Sequence, residues 1–486
     1  MTDNNTTMNH DRSANIIPCS SNSMEADSIR KSLRTIGVEI PEIMLPDKQV
    51  DLKKWAVVAC DQYTSQRNYW HTVEEYVSES PSTLHLIFPE VYLEDGDKNQ
   101  RIAAISNAMN TYMDEEVLNQ LPPSFVYVER TLQTGIRRGL MVALDLEQYD
   151  YHEGSQTLIR ATEGTVLDRL PPRIEIRKNA VLEVPHIMVL IDDPEKTVIE
   201  PISEEISGAD QLYDFELMMD GGRIAGYQAG NQTIINNITD ALTRLADPEV
   251  FQKKYDVGDD KEVLLFAMGD GNHSFATAKA CWDQLKENLN EKERETHPAR
   301  FALVELVNVH DDSLVFEPIH RVLFQIDPKQ VFKAMREYYA STGQGFDYES
   351  FSSERQMKER YLALVQFKKE GACPIRTHFI PYMFPGEWGV LKIINPKGSL
   401  EAGTLQAFLD DYLAGNKDVS IDYIHGEDVA SNLGLKEGNM GFLLPIMSKN
   451  DLFKTVIVDG VLPRKTFSMG EAHEKRFYLE CRKIVK

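Results

Sequence analysis

The sequence predicts a mixed α/β protein of the α+β kind, because short apolar runs alternate along the chain with segments of helical periodicity. Val263–Ala267 is one such run and reads as a buried strand. Directly after it, apolar residues recur at helical spacing and predict an amphipathic helix from about Ser274 to Leu289. A length of 486 residues exceeds what one ordinary core supports, so more than one domain is expected.

The same criteria assign the other elements in order. Strands are predicted at Trp55–Cys60, Phe125–Glu129 and Leu140–Leu146, and helices at Tyr69–Tyr76, Arg101–Leu118, Ile206–Met219, Gln232–Leu245, Lys329–Tyr339, Ser353–Phe367, Thr404–Ala414 and Glu471–Glu480. Two similar stretches, Pro185–Ile202 and Phe301–Ile319, each contain an apolar run, an Asp-Asp pair and a Glu-Pro-Ile tripeptide, so each predicts a β-hairpin.

Three regions follow from composition. Residues 1–27 are rich in Asn, Ser, Thr and Asp and predict a disordered tail. Residues 28–327 form the predicted α/β catalytic region, and residues 328–486 a C-terminal mixed α/β region.

Charge and composition restrict the class of protein. The net charge of −24 opposes binding to nucleic acid or to an anionic membrane. No apolar run approaches the length of a transmembrane helix, and the N-terminus has no hydrophobic signal core. Five scattered cysteines without a Cys-x-x-Cys pair favour a reducing, cytoplasmic location over a disulfide framework or a structural zinc site.

The most informative motif is the turn Asp270-Gly271-Asn272-His273-Ser274 between the predicted strand and helix. The N–H groups at a helix N-terminus and the helix dipole favour an anion such as phosphate. Asp270 is a candidate metal ligand or proton acceptor, and His273 a candidate donor to a phosphate oxygen. The structural alternative is a helix entry in which Asp-Gly forms the turn and Asn272 or Ser274 caps the helix.

Further candidates lie outside this turn. Two clusters of basic residues in this acidic chain predict a pocket for a small anion. The first cluster consists of Arg160, Arg169, Arg173, Arg177 and Lys178, and the second of Arg464, Lys465, Lys475, Arg476, Arg482 and Lys483. For any one of these side chains, the alternative to an anion ligand is a solvent-exposed ion pair with one of the many carboxylates. Asp61 follows a predicted strand, where α/β sheets gather ligands. Glu163 is either an ion-pair partner or a base.

A metal site is a further alternative. His310, Asp311, Asp312 and His320 are residue types that bind metals, although Asp-Asp in a hairpin is usually a turn former. Walker A, Gly-x-Ser-x-Gly, His-Glu-x-x-His and Rossmann motifs are absent from the sequence, so the commonest nucleotide-binding and hydrolytic classes lack support.

Taken together, these motifs resemble a prokaryotic family catalogued as a domain of unknown function, with the hallmark Asp-Gly-His-His-Arg between a strand and a helix and a later Pro-Thr-His-Arg segment. The counterparts here are Asp270–Ser274 and Pro318-Ile319-His320-Arg321. The resemblance runs from about Trp55 to the C-terminus and takes in Arg160–Arg177, Leu405–Leu413 and Tyr423–Gly426. The hallmark also resembles the phosphate-binding motif of the ParB/sulfiredoxin-like superfamily, which includes kinases acting on free serine.

This resemblance implies a ParB/sulfiredoxin-like core and a phosphotransferase that makes O-phosphoserine from free serine, with pyrophosphate or a nucleotide as donor. In that scheme Mg²⁺ bridges the donor and Asp270, while Gly271, Asn272, His273 and Ser274 cradle the phosphate. Glu163 or Asp61 orients the acceptor hydroxyl. The remaining phosphate ligands implied are Arg160, Arg173, Arg321 and His320.

The chain departs from the hallmark at two positions: Asn272 replaces the first histidine and Ser274 replaces the arginine. Losing that arginine removes a bidentate phosphate ligand, which favours a small donor such as pyrophosphate over a triphosphate. Arg160, Arg173 or Arg321 is a candidate to fill the vacancy. Two other functions remain open: a nucleotide-binding switch without turnover, and a metal-dependent phosphohydrolase.

Overall fold

The computed structural model describes residues 21–152, 154–165, 167–371 and 375–486, with side chains from Asp27 onward. Of the predicted disordered tail, residues 1–20 lie outside the described residues, and a helix begins at Ser21. Within the described ranges no helix is long and apolar enough to cross a membrane.

The structure is a mixed α/β fold, as the alternating periodicity predicts. The helices are α1 Ser21–Thr35, α2 Leu52–Trp55, α3 Arg67–Val77, α4 Lys98–Asp114, α5 Leu170–Arg177, α6 Ile202–Glu205, α7 Gln232–Leu245, α8 Pro248–Tyr255, α9 Asn272–Lys286, α10 Glu291–Thr296, α11 Pro328–Ser341, α12 Glu354–Lys369, α13 Glu401–Gly415, α14 Glu427–Gly434 and α15 Lys449–Asp459.

The strands are β1 Val38–Glu39, β2 Ile43–Pro46, β3 Val57–Val58, β4 Leu118–Gln120, β5 Phe125–Leu132, β6 Gly135–Asp145, β7 Tyr149–Asp150, β8 Ile159–Arg160, β9 Leu182–Glu183, β10 Met188–Ile191, β11 Gln211–Glu216, β12 Arg223–Ala229, β13 Phe266–Asp270, β14 Phe301–Asn308, β15 Phe316–Phe324, β16 Gly345–Phe351, β17 Thr377–Phe384, β18 Glu387–Ile394, β19 Ser420–His425, β20 Asn439–Phe442, β21 Phe467–Met469, β22 Phe477–Tyr478 and β23 Cys481–Lys483.

The larger of the two main sheets has the order β11-β12-β5-β6-β14-β10-β13-β8-β7, with β1 added beside β6. Both of its faces are buried, because alternate side chains enter two different cores: Phe125 and Tyr127 of β5 join one, and Val126 and Val128 join the other. Burial on both faces explains why its central strands read as continuous apolar runs. Strand β13, which leads into the Asp270 turn, lies inside this sheet.

The second sheet has the order β16-β18-β17-β20-β15-β19, with β21 beside β15. It too separates two cores, one containing Ile380 and Tyr382 and the other Phe379 and Met383. The predicted boundary at residue 327 stays a prediction, but β15 already belongs to this sheet before that point.

The two predicted hairpins are wrong. Strands β10 and β14 are parallel neighbours, with Met188 opposite Glu305, and no strand follows β10 at Val198–Ile202. Strand β15 pairs with β19, β20 and β21 instead of with β14. The Asp-Asp pairs do form turns, but each turn sends the chain away from the preceding strand.

Three other predicted elements also differ. Ile206–Met219 is a short 3₁₀ turn followed by β11, and Glu471–Glu480 is a 3₁₀ turn followed by β22. The run Trp55–Cys60 is divided between α2 and β3. Strand pairing decides these structures: β3 and β22 pair with each other from opposite ends of the chain, and β11 pairs with the next strand, β12.

The C-terminal segment returns to the N-terminal part of the chain. Strand β22 pairs with β3, and β23 pairs with β2 and β9. Directly before β22, the fully buried Arg476 donates to Glu305 of β14 and to Glu480. Burial disfavours the charge, but the two carboxylates outweigh burial and raise the pKa of Arg476. This ion-pair cluster joins the last twenty residues to the centre of the larger sheet.

We expect Arg476→Met to lower the free energy of unfolding by about 3–5 kcal/mol, because it leaves the buried Glu480 without its cation and Glu305 with only the more distant Arg137, at 3.9 Å. Urea denaturation measures the change. Lys483→Ala, at an exposed position of β23, is the matched control and should stay within about 0.5 kcal/mol. Equal stability of Arg476→Met and the control would show that the cluster does not hold the segment.

Candidate functional site

The predicted phosphate turn is a strand-to-helix turn in the structure. Strand β13 ends at Asp270, Gly271 adopts a φ of +77°, and α9 begins at Asn272. A Cβ at Gly271 would lie 3.1 Å from the Cα of Ile187, so glycine suits both the backbone conformation and the close approach. The first i→i−4 bond runs from Phe275 N to Gly271 O at 3.0 Å, so the preceding N–H groups lie at the open end of the helix.

His186 lies beside this turn because β10 and β13 are antiparallel, with Met188 opposite Asp270. Its side chain is buried, 5% exposed. Its Nε2 lies 3.4 Å from Ser274 Oγ, and its Nδ1 lies 2.8 Å from the Tyr478 hydroxyl. The imidazole is therefore held between the first turn of α9 and the returning C-terminal segment.

Asp61 reaches the same place from the N-terminal part of the chain. It follows β3, which pairs with β22, and its Oδ2 lies 3.7 Å from His186 Nε2. Burial raises the pKa of Asp61, but the charge and hydrogen bond of His186 outweigh burial and lower it. For His186, burial lowers the pKa and the charge of Asp61 raises it, with a net rise. The two groups therefore favour each other's charged forms.

Lys475 supplies a cation at the turn. Its Nζ lies 3.3 Å from Asp270 Oδ2, and its charge also lowers the pKa of Asp61 and of Glu163. Asp270 uses its other oxygen to accept the N–H of Gly271 at 2.9 Å. Lys475 can share its charge between Asp270 and an incoming phosphate, and His186, whose pKa the charge of Asp61 raises against burial, adds a second positive charge at the site.

Glu163 lies along the edge of the same turn. It forms a parallel bridge with Leu462, and the preceding Thr162 donates its hydroxyl to the carbonyl of Met268 in β13 at 2.6 Å. Burial raises the pKa of Glu163, and nearby Lys465 only partly opposes this. A carboxylate with a raised pKa is a better proton acceptor than one with a lowered pKa.

His273 is the second residue of α9. Burial and the nearby Arg173 and Arg169 lower its pKa to about 4, so at neutral pH its imidazole is uncharged. It can give a phosphate a hydrogen bond but not a positive charge. Arg173 of α5 forms an ion pair with Glu90 at the edge of the site.

Three predicted phosphate ligands have other contacts. Arg160 donates to the carbonyls of Thr157, Glu262 and Val263. The fully buried Arg321 donates to Gln406 Oε1 and to the carbonyls of Ile319, Arg464 and Lys465, and His320 Nδ1 accepts the N–H of Leu444 at 3.0 Å. These contacts are with other parts of the fold, and none of them is with the Asp270 turn.

The alternative metal set also makes structural contacts. His310 Nε2 lies 2.6 Å from Asp192 Oδ1, and Asp311 accepts from the N–H and hydroxyl of Ser313. Within the described ranges no group of three or more His, Cys, Asp or Glu side chains is arranged to hold a metal.

For Mg²⁺ at the turn, both oxygens of Asp270 are already engaged: Oδ2 forms an ion pair with Lys475, and Oδ1 accepts the N–H of Gly271. This donor set does not fit a metal held by the protein, because the lysine places a positive charge where the cation would lie.

His186 and Tyr478 are site residues that the sequence analysis does not name, and Lys475 is named there only as one member of a cluster of basic residues. Lys475 belongs to a cluster of basic residues that predicts an anion pocket. The sequence places it in a predicted helix, Glu471–Glu480, and nothing local connects that helix with the Asp270 turn. His186 directly precedes an apolar run, a place where a structural histidine is equally common.

Comparisons with known proteins identify a family. No curated protein matches the chain. A mutant free serine kinase in complex with AMP is 11% identical with a TM-score of 0.36, covering 71% of this chain and 92% of that one. A conserved hypothetical protein from Pyrococcus furiosus is 10% identical with a TM-score of 0.32, covering 70% and 94%. Similarity at this level is too low to transfer a substrate or a reaction.

A family model also matches most of the chain. Residues 44–412 match the model described as "Protein of unknown function (DUF1015)". This range includes the Asp270 turn, Asp61, Glu163 and His186, and excludes Lys475 and Tyr478. The chain belongs to the DUF1015 family.

Proposed function

We propose that this protein is a small-molecule phosphotransferase that transfers a phosphoryl group to a hydroxyl, with free serine as the acceptor that the sequence resemblance implies. The observation that carries the proposal is the convergence of Asp61, His186 and Lys475, from three remote segments, on the Asp270 turn. Phosphoryl transfer depends mainly on positioning and on neutralising charge, and this site offers both.

The donor phosphate occupies the N-terminus of α9 in this proposal. The helix end and the neutral His273 supply hydrogen bonds, and Lys475 supplies a positive charge within reach of Asp270. When phosphate enters, Lys475 moves part of its interaction from the carboxylate to the phosphate oxygens. Asp270 then orients the ammonium group and holds the Lys475 side chain in the site.

Two carboxylates have different roles. Asp61, whose pKa is lowered, stays ionised and holds His186 in a fixed orientation. Glu163, whose pKa burial raises, is better suited to take the proton of the acceptor hydroxyl. The acceptor oxygen forms a bond to phosphorus as the donor's bridging P–O bond breaks, and the proton passes to the departing phosphate.

Pyrophosphate is the donor that the available cations favour. Ser274 stands where the family hallmark has arginine, and Arg160 and Arg321, two of the three candidate replacements, donate to backbone carbonyls instead. Lys475, Arg173 and Arg169 remain near the turn, and Arg173 is paired with Glu90. These few cations and a helix end match the charge of a pyrophosphate better than that of a triphosphate with its nucleoside.

Incubation of the purified protein with serine and pyrophosphate, ATP or ADP tests the proposal. Phosphoserine, detected by ³¹P NMR, supports it. Ligand-induced stabilisation without product favours a nucleotide-binding switch, and phosphate release independent of serine favours a phosphohydrolase. Each of these two results contradicts the transferase.

We expect Asp270→Asn to lower kcat by about a hundredfold to a thousandfold with an unchanged melting temperature, because the amide keeps the shape of the carboxylate but not its charge. Steady-state kinetics measure the effect. Asp283→Asn, on the outer face of the same helix, is the control and should keep normal kcat. A near-normal kcat in Asp270→Asn would return the turn to a structural role.

We also expect the stabilisation by His186 to depend on pH. Its folded pKa is raised, so its contribution is fully present below the unfolded pKa near 6.5 and is lost as pH rises through the folded value. The melting temperature of His186→Gln should therefore fall below that of the wild type by more at pH 6 than at pH 9. The exposed His71→Gln is the control. A difference that grows with pH would contradict the charged pair.

For the donor, we expect a higher kcat/KM with pyrophosphate than with ATP when serine is saturating. Lys475→Gln should reduce kcat/KM with pyrophosphate by at least tenfold, since it removes the cation nearest the phosphate. Lys483→Gln, at an exposed position of β23, serves as the comparison. Faster turnover with ATP than with pyrophosphate would overturn the donor assignment.

A further inference from the structure

A cavity of about 140 Å³ opens beside the phosphate turn, between α5, the first turns of α9 and the segment 86–93. Its deep wall is apolar and includes Leu86, Phe88, Met109, Ile176, Leu182 and Val184. Four of these side chains are at most 5% exposed: Leu86, Phe88, Met109 and Leu182. The proposed reaction with serine does not use this wall.

The lining includes two ion pairs, Arg173–Glu90 and Arg177–Glu183, and one end of the cavity borders the proposed active site. Ser274 and Thr277 line it from α9, and His186 and Tyr478 line it from the other side. The 3.4 Å separation of Ser274 Oγ and His186 Nε2 places both polar atoms next to the helix N-terminus. A molecule with its hydroxyl at this end would place the rest of its body against the apolar wall.

Size and chemistry limit what fits. An apolar cavity of about 150 Å³ lined by Leu, Ile and Phe binds a benzene ring and excludes water. The present cavity is of that size, and the larger part of its lining is apolar. Serine carries one methylene beyond its polar groups and would leave the wall uncovered, whereas a ring or a chain of five to six carbons would cover it.

We propose that this cavity is the acceptor subsite and that the preferred acceptor is a hydroxylated molecule bearing an apolar group of about the size of a phenyl ring. The inference rests on the proposed phosphoryl transfer and specifies its substrate class. The acceptor oxygen bonds to phosphorus, the bridging P–O bond of pyrophosphate breaks, and the hydroxyl proton leaves with inorganic phosphate.

The base of a nucleotide donor is a poorer occupant of the cavity. A purine requires hydrogen-bond partners for its ring nitrogens and exocyclic groups, and burying them unpaired is unfavourable. The six residues of the deep wall have no polar side-chain group apart from the weakly accepting sulfur of Met109. The charged groups of the lining are paired with one another, Arg173 with Glu90 and Arg177 with Glu183.

The test compares serine, threonine and β-phenylserine, which carries a phenyl ring on its hydroxyl-bearing carbon, with pyrophosphate as donor. We expect kcat/KM for β-phenylserine to exceed that for serine by at least tenfold, because even one buried methylene changes kcat/KM by about 10–200-fold. Calorimetry with β-phenylserine and no donor measures binding independently of transfer.

Two variants locate the binding. Val184→Phe fills the cavity and should abolish the preference for β-phenylserine while serine turnover is kept. Ile176→Ala removes part of the wall and should raise KM for β-phenylserine only. Val429→Phe, the same substitution as the first at an exposed position of α14, is the control.

The outcomes separate this inference from the proposed function. Serine phosphorylated at least as efficiently as β-phenylserine overturns the inference and leaves phosphoryl transfer intact. Binding of β-phenylserine that Val184→Phe abolishes, without transfer to any acceptor, supports the subsite and overturns the transferase. Adenosine binding that Val184→Phe abolishes assigns the cavity to a nucleotide base and overturns the inference.

Discussion

The site depends on one buried ion-pair cluster near the end of the chain. Arg476 lies between Glu305, in the middle of the larger sheet, and Glu480, four residues later. Tyr213 donates its hydroxyl to Glu480, which adds a further contact from β11. With Arg476 fixed, its neighbour Lys475 reaches Asp270, and Tyr478 reaches His186.

Such a cluster specifies position more than it adds stability. Desolvating an arginine and two glutamates opposes folding, and the mutual attraction offsets this only when the geometry is right. Alternative placements of the C-terminal segment would leave buried charges unpaired. Pairing of these buried charges therefore places Lys475 at the phosphate turn, although Lys475 and Asp270 are 205 positions apart in the sequence.

Local patterns in the sequence predict local features well. The run from Val263 to Leu289 indicates a strand, a tight turn and a helix, and the structure has β13, Gly271 at positive φ and α9 there. The signal is strong because periodicity, glycine and helix entry all lie within about 25 residues. The mixed α/β class follows from the same kind of evidence.

Local sequence patterns do not predict which strands and side chains pair when they are remote in the chain. The stretches Pro185–Ile202 and Phe301–Ile319 resemble hairpins, yet their first strands pair with each other in parallel. Likewise, Arg321 has the charge of a phosphate ligand, but its guanidinium donates to Gln406 and to backbone carbonyls of a segment about 140 residues away. Partners of this kind depend on topology, and residue type alone does not distinguish them from ligands.

The central claim is that the C-terminal segment completes a phosphate site at the Asp270 turn. Isothermal titration of pyrophosphate into the wild type and into Arg476→Lys tests it most directly. Lysine keeps the charge but cannot bridge Glu305 and Glu480 in the same bidentate way, so Lys475 should lose its position. The account predicts pyrophosphate binding by the wild type and an affinity at least tenfold weaker in a folded Arg476→Lys. Equal affinities, or no binding by the wild type, would contradict it.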